Sequence, residues 1–237
     1  MQRRQRAFGY TEEDLKMLLT PMANTGKEPL GSMGNDNPLP VLSKRSRMLF
    51  DYFHQKFAQV TNPPLDWERE EIVTSLESAI GPEPNLLEDS AAARQEGPDP
   101  AARCITSDEM APAQAARSSA SRARRLLPVR MSIKGLYQVA GGGKALGERL
   151  EEIFAEVDEA IAGGSNFIVL SDRDSNHTWG PIPSLLLTSA VQHHLLRKHT
   201  RTQISMAVEA GDVREIHHVA LLIAHGACRM RQPVPGI

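Results

Sequence analysis

The stretch that decides the fold is residues 166–191, NFIVLSDRDSNHTWGPIPSLLLTSAV. It opens with four apolar residues, 167–170, between a Gly-Gly pair and a polar loop. A run this short and this well bounded predicts a strand that is buried on both faces. Pro181 and Pro183 should stop any further strand, and Pro183 or Ser184 can begin a helix.

Apolar runs and helical spacing alternate on both sides of this stretch. We predict a strand over 129–139, a helix after Gly141–Lys144, the strand at 167–170, a helix over 184–198, a strand over 204–208 and a helix over 213–224. Right-handed crossovers would join the strands into a parallel sheet of at least three. The predicted fold class is α/β, with parallel βα units that form either part of a TIM-like barrel or an open parallel sheet.

The sequence divides into three parts. Residues 1–90 are predicted to be helical and rich in loops, with no strand and with helices at 11–23, 43–57 and from Asp66 to Ile80. The composition of residues 91–128 predicts a poorly ordered linker, because sparse apolar residues cannot offset the entropy of ordering. Residues 129–237 carry the βαβαβα part.

Composition excludes several classes of protein. The 237 residues carry a net charge of -2 and a pI near 6.5, which gives no footprint for nucleic acid or an anionic membrane. No apolar run approaches the ~20 residues of a spanning helix, and no signal peptide is recognisable. Two distant cysteines suggest a reducing compartment and cannot alone hold a cluster or a structural zinc. We therefore expect a cytoplasmic protein.

Several polar groups have both a chemical and a structural interpretation. Asp172 and Asp174 could be an acid/base pair, or a divalent-ion site with Glu209, but an ion pair between Asp172 and Arg173 is favoured. Adjacent histidines, as at 193–194 and 217–218, point apart on a helix, which favours core or capping roles over metal binding. Gly141–Lys144 could cradle a phosphate, although a flexible turn is favoured. No Ser-His-Asp or Cys-His constellation is recognisable.

Short motifs in both halves of the chain carry a family resemblance. They are QRAFGYTEED at 5–14, GSMGND at 31–36, FAQVTNPPLD at 57–66, GPE and NLL at 81–87, LSDR at 170–173, PIPSL at 181–185, VE at 208–209 and REIHH at 214–218. In this combination and order the chain resembles the central domain of the glutamate synthase large subunit.

The resemblance implies a multidomain oxidoreductase of glutamate biosynthesis and ammonia assimilation, which forms glutamate from glutamine and 2-oxoglutarate. It implies an amidotransferase domain that releases ammonia and a flavin barrel with FMN and a [3Fe-4S] cluster. The central domain would lie between these two partners as an α/β scaffold for ammonia passage. It would bind no cofactor or metal of its own, hold no catalytic residue and be inactive as an isolated chain.

Seven residues are the candidates for lining the interface or the passage, by ordering loops through ion pairs and hydrogen bonds: Ser171, Asp172, Arg173, Glu209, Arg214, His217 and His218. The alternatives are a standalone, non-catalytic binding module of the same fold and, more weakly, a phosphate-ligand enzyme. Residues 229–237 depart from the family pattern, from which we expect a truncated or frame-slipped piece of a longer protein.

Overall fold

A four-stranded parallel sheet is the centre of the structure. The computed structural model describes residues 2–26, 41–42, 44, 47–54, 66–69, 77–78, 101–102 and 130–231. The sheet contains β3 (Arg130–Lys134), β5 (Phe167–Ser171), β7 (Ser205–Glu209) and β8 (Arg229–Arg231), in that spatial order and all parallel. Among the described residues the sheet is open, with β3 and β8 at its edges.

The predicted central strand is confirmed. All five residues of β5 are buried, and β5 pairs with both β3 and β7. An apolar run bounded by polar loops is stable in this position because both faces and both edges are covered. β8 was not predicted, because its three residues, Arg-Met-Arg, lack an apolar run.

Three helices follow the strands in the predicted order: α4 (Gly142–Ala162), α5 (Ser184–Arg197) and α6 (Ile216–Ala224). α5 packs against both α4 and α6. The main core joins α4 and α5 to one face of the sheet through residues that include Ile133, Ile153, Ile168, Leu170, Leu187, Val191 and Met206. Leu222 of α6 belongs to a second buried cluster, with Phe50, Leu185 and Val208. The alternating residues Phe167, Val169 and Ala207 form a separate buried cluster. The spacing of apolar residues therefore predicted the helical faces correctly.

Two segments form a small antiparallel sheet that was not predicted. The strand predicted over 129–139 is interrupted at Gly135, and β4 (Leu136–Gln138) pairs with β6 (Trp179–Pro181) instead. β6 was not predicted, but it ends at Pro181 and a helix begins at Ser184, as expected from the two prolines. Gly135 suits the interruption, since a Cβ there would collide with the side chain of Leu187, which would have to shift.

The N-terminal helix at 11–23 is confirmed, with an irregular centre. It consists of α2 (Glu12–Asp14), a π-helical turn at Leu15–Leu19 and α3 (Thr20–Thr25). A capping box begins the helix: the Asp14 N–H donates to Thr11 Oγ1 at 3.1 Å, and the Thr11 N–H donates to Asp14 Oδ2 at 2.8 Å. A further helix, α1 (Gln2–Ala7), precedes it and was not predicted.

The helix predicted over 43–57 is wrong within the described residues, which contain only a 3₁₀ turn at Leu49–Tyr52. Phe50 is the buried residue of this turn, whereas Tyr52 and Phe53 are exposed. The reason is long-range packing, because the ring of Phe50 stacks on that of His218 with centroids 4.2 Å apart. Residues 55–57 lie outside the described part of the chain.

The helix predicted from Asp66 to Ile80 is described only in its first turn, where Asp66 Oδ1 accepts the Arg69 N–H at 2.8 Å. The next described residues, β1 (Glu77–Ser78), pair antiparallel with β2 (Ala101–Ala102), so the predictions of a helix at 77–78 and of no strand before residue 90 are wrong. No local pattern signals a two-residue bridge of this kind. The rest of the predicted linker at 91–128 lies outside the described residues.

Candidate functional site at the carboxyl edge of the sheet

The carboxyl ends of β5 and β7 bring three candidate residues together. Ser171 and Glu209 are register partners at this edge, and Ser171 Oγ donates to Glu209 Oε2 at 2.7 Å. Arg173 Nε donates to Glu209 Oε1 at 2.6 Å, while the Arg173 backbone N–H donates to Ser171 Oγ at 3.2 Å. The Glu209 side chain is buried, whereas the Arg173 side chain is 49% exposed. The network thus fixes the loop after β5 and leaves part of one guanidinium at the surface.

The favoured ion pair between Asp172 and Arg173 is not formed. Asp172 Oδ2 instead accepts the backbone N–H of Gly211 at 2.6 Å. Asp174 points elsewhere and pairs with exposed Lys134 at 2.6 Å, which lowers the pKa of the Asp174 carboxyl. The two aspartates therefore have separate partners and do not form an acid/base pair.

Two buried carboxyl groups lie close to each other beneath this edge. The pKa of Asp172 is raised to about 7, first by burial and then by the neighbouring carboxylates of Asp212 and Glu209, against the opposing effect of the Gly211 hydrogen bond. Burial also raises the pKa of Asp212. Asp212 Oδ2 accepts the Ser184 N–H at 3.1 Å and so caps the first turn of α5. Asp212 was not among the predicted residues, although it follows β7 as the polar loop 171–174 follows β5.

Arg214 attaches the N-terminal segment to the loop after β7. Its Nη1 donates to the Phe8 carbonyl and its Nη2 to the Gly9 carbonyl, both at 3.2 Å. Nη2 also lies 3.4 Å from Asp14 Oδ2, and the guanidinium carbon lies 4.6 Å from the centroid of the Tyr10 ring. These contacts use the planar, multiple-donor geometry that distinguishes arginine from lysine.

Gly211 joins the two sets of contacts. Its N–H is donated to Asp172, and its carbonyl accepts the Tyr10 hydroxyl at 3.0 Å. A Cβ at this position would lie 2.9 Å from the ring of Phe8, so a larger residue would require that ring to move. The loop after β7 is thus held from the sheet on one side and from the N-terminal segment on the other.

The two adjacent histidines have different structural roles. His218 is buried, stacks on Phe50 and accepts the Arg214 backbone N–H through Nδ1 at 3.3 Å. Its Nε2 lies 3.1 Å from Glu215 Oε1, and this hydrogen bond is the main cause of a lowered pKa at Glu215. His217 Nε2 reaches the Phe50 carbonyl at 3.2 Å. The core role favoured for the histidines is therefore confirmed at His218.

A cavity of about 1160 Å³ opens between the N-terminal segment, the turn near residue 50 and the carboxyl edge of the sheet. Three of the seven candidate residues line it, namely Asp172, Arg214 and His217. Ser171, Glu209 and His218 are buried. The sequence therefore predicted the edge where these groups meet, but the contacts of Asp212, Gly211 and Tyr10 that complete the site carry no local signal.

The described part of the chain contains no set of side chains that fits a metal ion or an iron–sulfur cluster. No group of three His, Cys, Asp or Glu residues there could hold a metal ion. An iron–sulfur cluster does not fit, because the chain has two cysteines and the thiol of Cys228 donates to the Met206 carbonyl at 2.9 Å. Lys144, in the segment for which a phosphate cradle was the less favoured alternative, is exposed, and its Nζ lies 3.7 Å from Glu148 Oε1 one turn later. Within the described ranges, no helix is long and apolar enough to cross a membrane.

Comparison with known proteins gives concordant matches. A family model described as "Glutamate synthase central domain" matches residues 3–231. The chain is 42% identical to the glutamate synthase [NADPH] large chain of Bacillus subtilis over 94% of its own length and 14% of that protein. It is 41% identical to the glutamate synthase [NADH] of Schizosaccharomyces pombe over 93% of its length and 10% of that protein. The ferredoxin-dependent glutamate synthase of Pyropia yezoensis is 37% identical over 94% of the chain and 14% of that protein.

The matches cover only a small part of each relative. The chain spans between about a tenth and a seventh of the length of these relatives. The family match runs through Arg231, so the departure from the family pattern expected from residue 229 does not include β8. The rest of the segment that was expected to depart from the family, residues 232–237, lies outside the described residues.

Proposed function

We propose, from the premise that the chain belongs to the glutamate synthase central-domain family, that it acts as the scaffold between the two reaction centres of a glutamate synthase. In this proposal it orders the loops along which ammonia passes and does not itself make or break bonds. The observation that carries the proposal is the carboxyl edge of the sheet, where Ser171, Arg173 and Glu209 lock one loop and Arg214 locks the next. Locked loops suit a passage because its walls must keep their positions while ammonia moves.

The partners in this proposal are the amidotransferase domain and the flavin barrel of the same enzyme. The reaction is the formation of glutamate from glutamine and 2-oxoglutarate. FMN and the [3Fe-4S] cluster belong to the parent enzyme in this proposal, and no step is assigned to either on this chain. The proposed location is the cytoplasm.

Arg173 is the residue that best tests this function. Its Nε is bound to buried Glu209, and its side chain is half exposed, so the rest of the guanidinium can contact a neighbouring domain. Arg173→Ala would remove the ion pair with Glu209 and would free the loop after β5.

The experiment uses a full-length glutamate synthase that carries this central segment. Arg173→Ala should lower the amount of glutamate formed per glutamine hydrolysed, because ammonia escapes from a loosened passage. Asp174→Asn is the matched control, since Asp174 lies in the same loop, is exposed and pairs only with exposed Lys134. An unchanged stoichiometry in Arg173→Ala, with normal expression, would contradict the proposed role.

The second candidate function is a standalone, non-catalytic binding module of the same fold. The cavity beside the carboxyl edge is the observation that favours it. The gene neighbourhood separates the two candidates, since an adjoining amidotransferase and flavin barrel favour the scaffold and their absence favours the module.

A further inference from the structure

The loop after β5 carries two exposed side chains of the kinds that dominate protein interfaces. The Arg173 side chain is 49% exposed. Trp179, at the other end of the same loop, is 44% exposed. Arginine and tryptophan are among the residue types most enriched where an interface gains most of its binding energy. We call residues 173–179 the docking loop.

Only one nitrogen of the Arg173 guanidinium has a partner in the part of the chain that the structure describes. Nε donates to Oε1 of buried Glu209 at 2.6 Å, whereas the two terminal Nη groups donate to none of the described residues. Two terminal nitrogens of an arginine form a fork that fits a carboxylate through parallel hydrogen bonds. Because Glu209 already fixes the guanidinium, the fork loses little freedom when a partner binds.

The turn before Trp179 is ordered although its residues are exposed. Asn176 Oδ1 accepts the Thr178 N–H at 2.9 Å and the Trp179 N–H at 3.0 Å. The Asn176 N–H donates to the Trp179 carbonyl at 2.8 Å, and Trp179 then pairs with Gln138 of β4. The indole is therefore presented from a fixed backbone, which lowers the entropic cost of docking.

The docking loop suits a protein surface better than a small molecule. Small-molecule sites are concave, and neither Arg173 nor Trp179 lines the cavity beside the carboxyl edge. The exposed side chains of Lys134 and Asp174 pair with each other, and the Glu209 carboxylate is buried. The positive charge of Arg173 therefore has no counterion at the surface of the loop, and a partner that complements it must supply a carboxylate.

We propose that the docking loop binds a neighbouring domain of the parent enzyme, with the Nη fork of Arg173 on a carboxylate of that domain and the indole of Trp179 in an apolar recess beside it. In the relatives, most of the polypeptide lies outside the segment that this chain matches, and it can supply such a surface. The inference rests on the proposed scaffold function, to which it adds the position and the chemistry of the contact.

The first test is a photochemical cross-link from Trp179→p-benzoylphenylalanine in a full-length glutamate synthase that carries this segment. After irradiation and peptide mapping, the aromatic probe should be joined to a peptide from outside residues 1–237. The same variant of the 237-residue chain alone is the matched control and should give no cross-link between chains. Loss of the cross-link in the full-length enzyme, cross-links only within residues 1–237, or a cross-link between two copies of the isolated chain would overturn the proposal.

The second test uses Arg173→Lys in the same full-length enzyme to detect the carboxylate. A carbodiimide joins a lysine amine to an adjacent carboxylate as an amide, so the variant should gain a cross-link to an Asp or Glu outside residues 1–237 that the wild type lacks. New links only to Glu209 or Asp174 would overturn the proposed contact.

The two tests also separate this inference from the scaffold function. Both expected cross-links, together with an unchanged stoichiometry in Arg173→Ala, would support the docking contact and contradict the scaffold function. A lowered stoichiometry in Arg173→Ala without either cross-link would overturn the docking contact alone.

Discussion

Replacing Asp172 by Asn should stabilise the folded chain at neutral and alkaline pH. The Asp172 carboxyl is buried, and its pKa is raised from the ordinary 3.8 to about 7, first by burial and then by the charges of Asp212 and Glu209. Asparagine has nearly the same shape, carries no charge and keeps an oxygen that can accept the Gly211 N–H. The substitution therefore removes the buried charge and retains the hydrogen bond.

The sign of the pH dependence follows from linkage. A group whose pKa is higher in the folded state contributes stability that is fully present below its unfolded pKa and is lost as the pH rises through the folded value. For Asp172 this window runs from 3.8 to about 7. At about 1.4 kcal/mol per pKa unit, the ceiling for the advantage of Asn is about 4 kcal/mol at pH 8, and about 1 kcal/mol remains at pH 4.5.

Urea denaturation of the wild type and Asp172→Asn, at several values between pH 4.5 and pH 8, measures this difference. The gap in unfolding free energy should widen as the pH rises. Asp174→Asn is the control, because the pKa of exposed Asp174 is lowered by Lys134, which predicts a small effect of the opposite sign that disappears in acid. A gap that stays constant with pH, or a less stable Asp172→Asn at pH 8, would refute the reasoning.

Three further substitutions test how the site is held. Phe50→Ala should cost about 3–5 kcal/mol of unfolding free energy in urea because it leaves a cavity, whereas Phe53→Ala, at an exposed ring, should cost less than about 1 kcal/mol. Arg214→Lys removes the guanidinium that donates to two backbone carbonyls, so limited proteolysis of residues 2–26 should become faster. The far-ultraviolet circular dichroism spectrum should stay close to that of the wild type, because the rest of the fold is retained. Gly135→Ala should destabilise the wild type by about 1–3 kcal/mol through overpacking, and the same change should cost less in a Leu187→Ala background, where the colliding side chain is absent.

Elements whose burial is determined by a local pattern were predictable from the sequence. β5 is a bounded apolar run, and it lies at the centre of the sheet with every residue buried. α4 has apolar residues three and four apart, and those residues face the core. The capping box at Thr11 was recognisable because it depends on two residues three positions apart.

Elements that depend on distant contacts were not predictable in the same way. β6 contains Pro181, which argues against a strand, and it forms because β4 lies beside it in space. The turn at 49–52 buries Phe50 because His218 provides a surface for the ring more than 160 residues later in the chain. The spacing of apolar residues, with a period of 3.6 in helices or 2 in strands, carries no information about such distant partners.

The candidate site combines both kinds of element. Parallel strands end at one edge, which is why Ser171, Arg173 and Glu209 were predicted together and do meet. The choice of Glu209 over Asp172 as the partner of Arg173 depends on the register of β5 against β7, which the sequence does not reveal. The same register leaves Asp172 free to accept the Gly211 N–H.

Gly211 connects the N-terminal segment to the sheet at this edge. Its N–H is bound to Asp172 and its carbonyl to Tyr10, so movement of either partner must disturb the other. Arg214, three residues later, binds carbonyl groups that a lysine or an apolar side chain would leave unpaired, and this makes the docking of the segment specific as well as stable. Since the cavity wall includes Tyr10, Asp172 and Arg214, its shape is set by these contacts. A substitution that loosens the N-terminal segment should therefore alter the cavity even where it touches none of the strands.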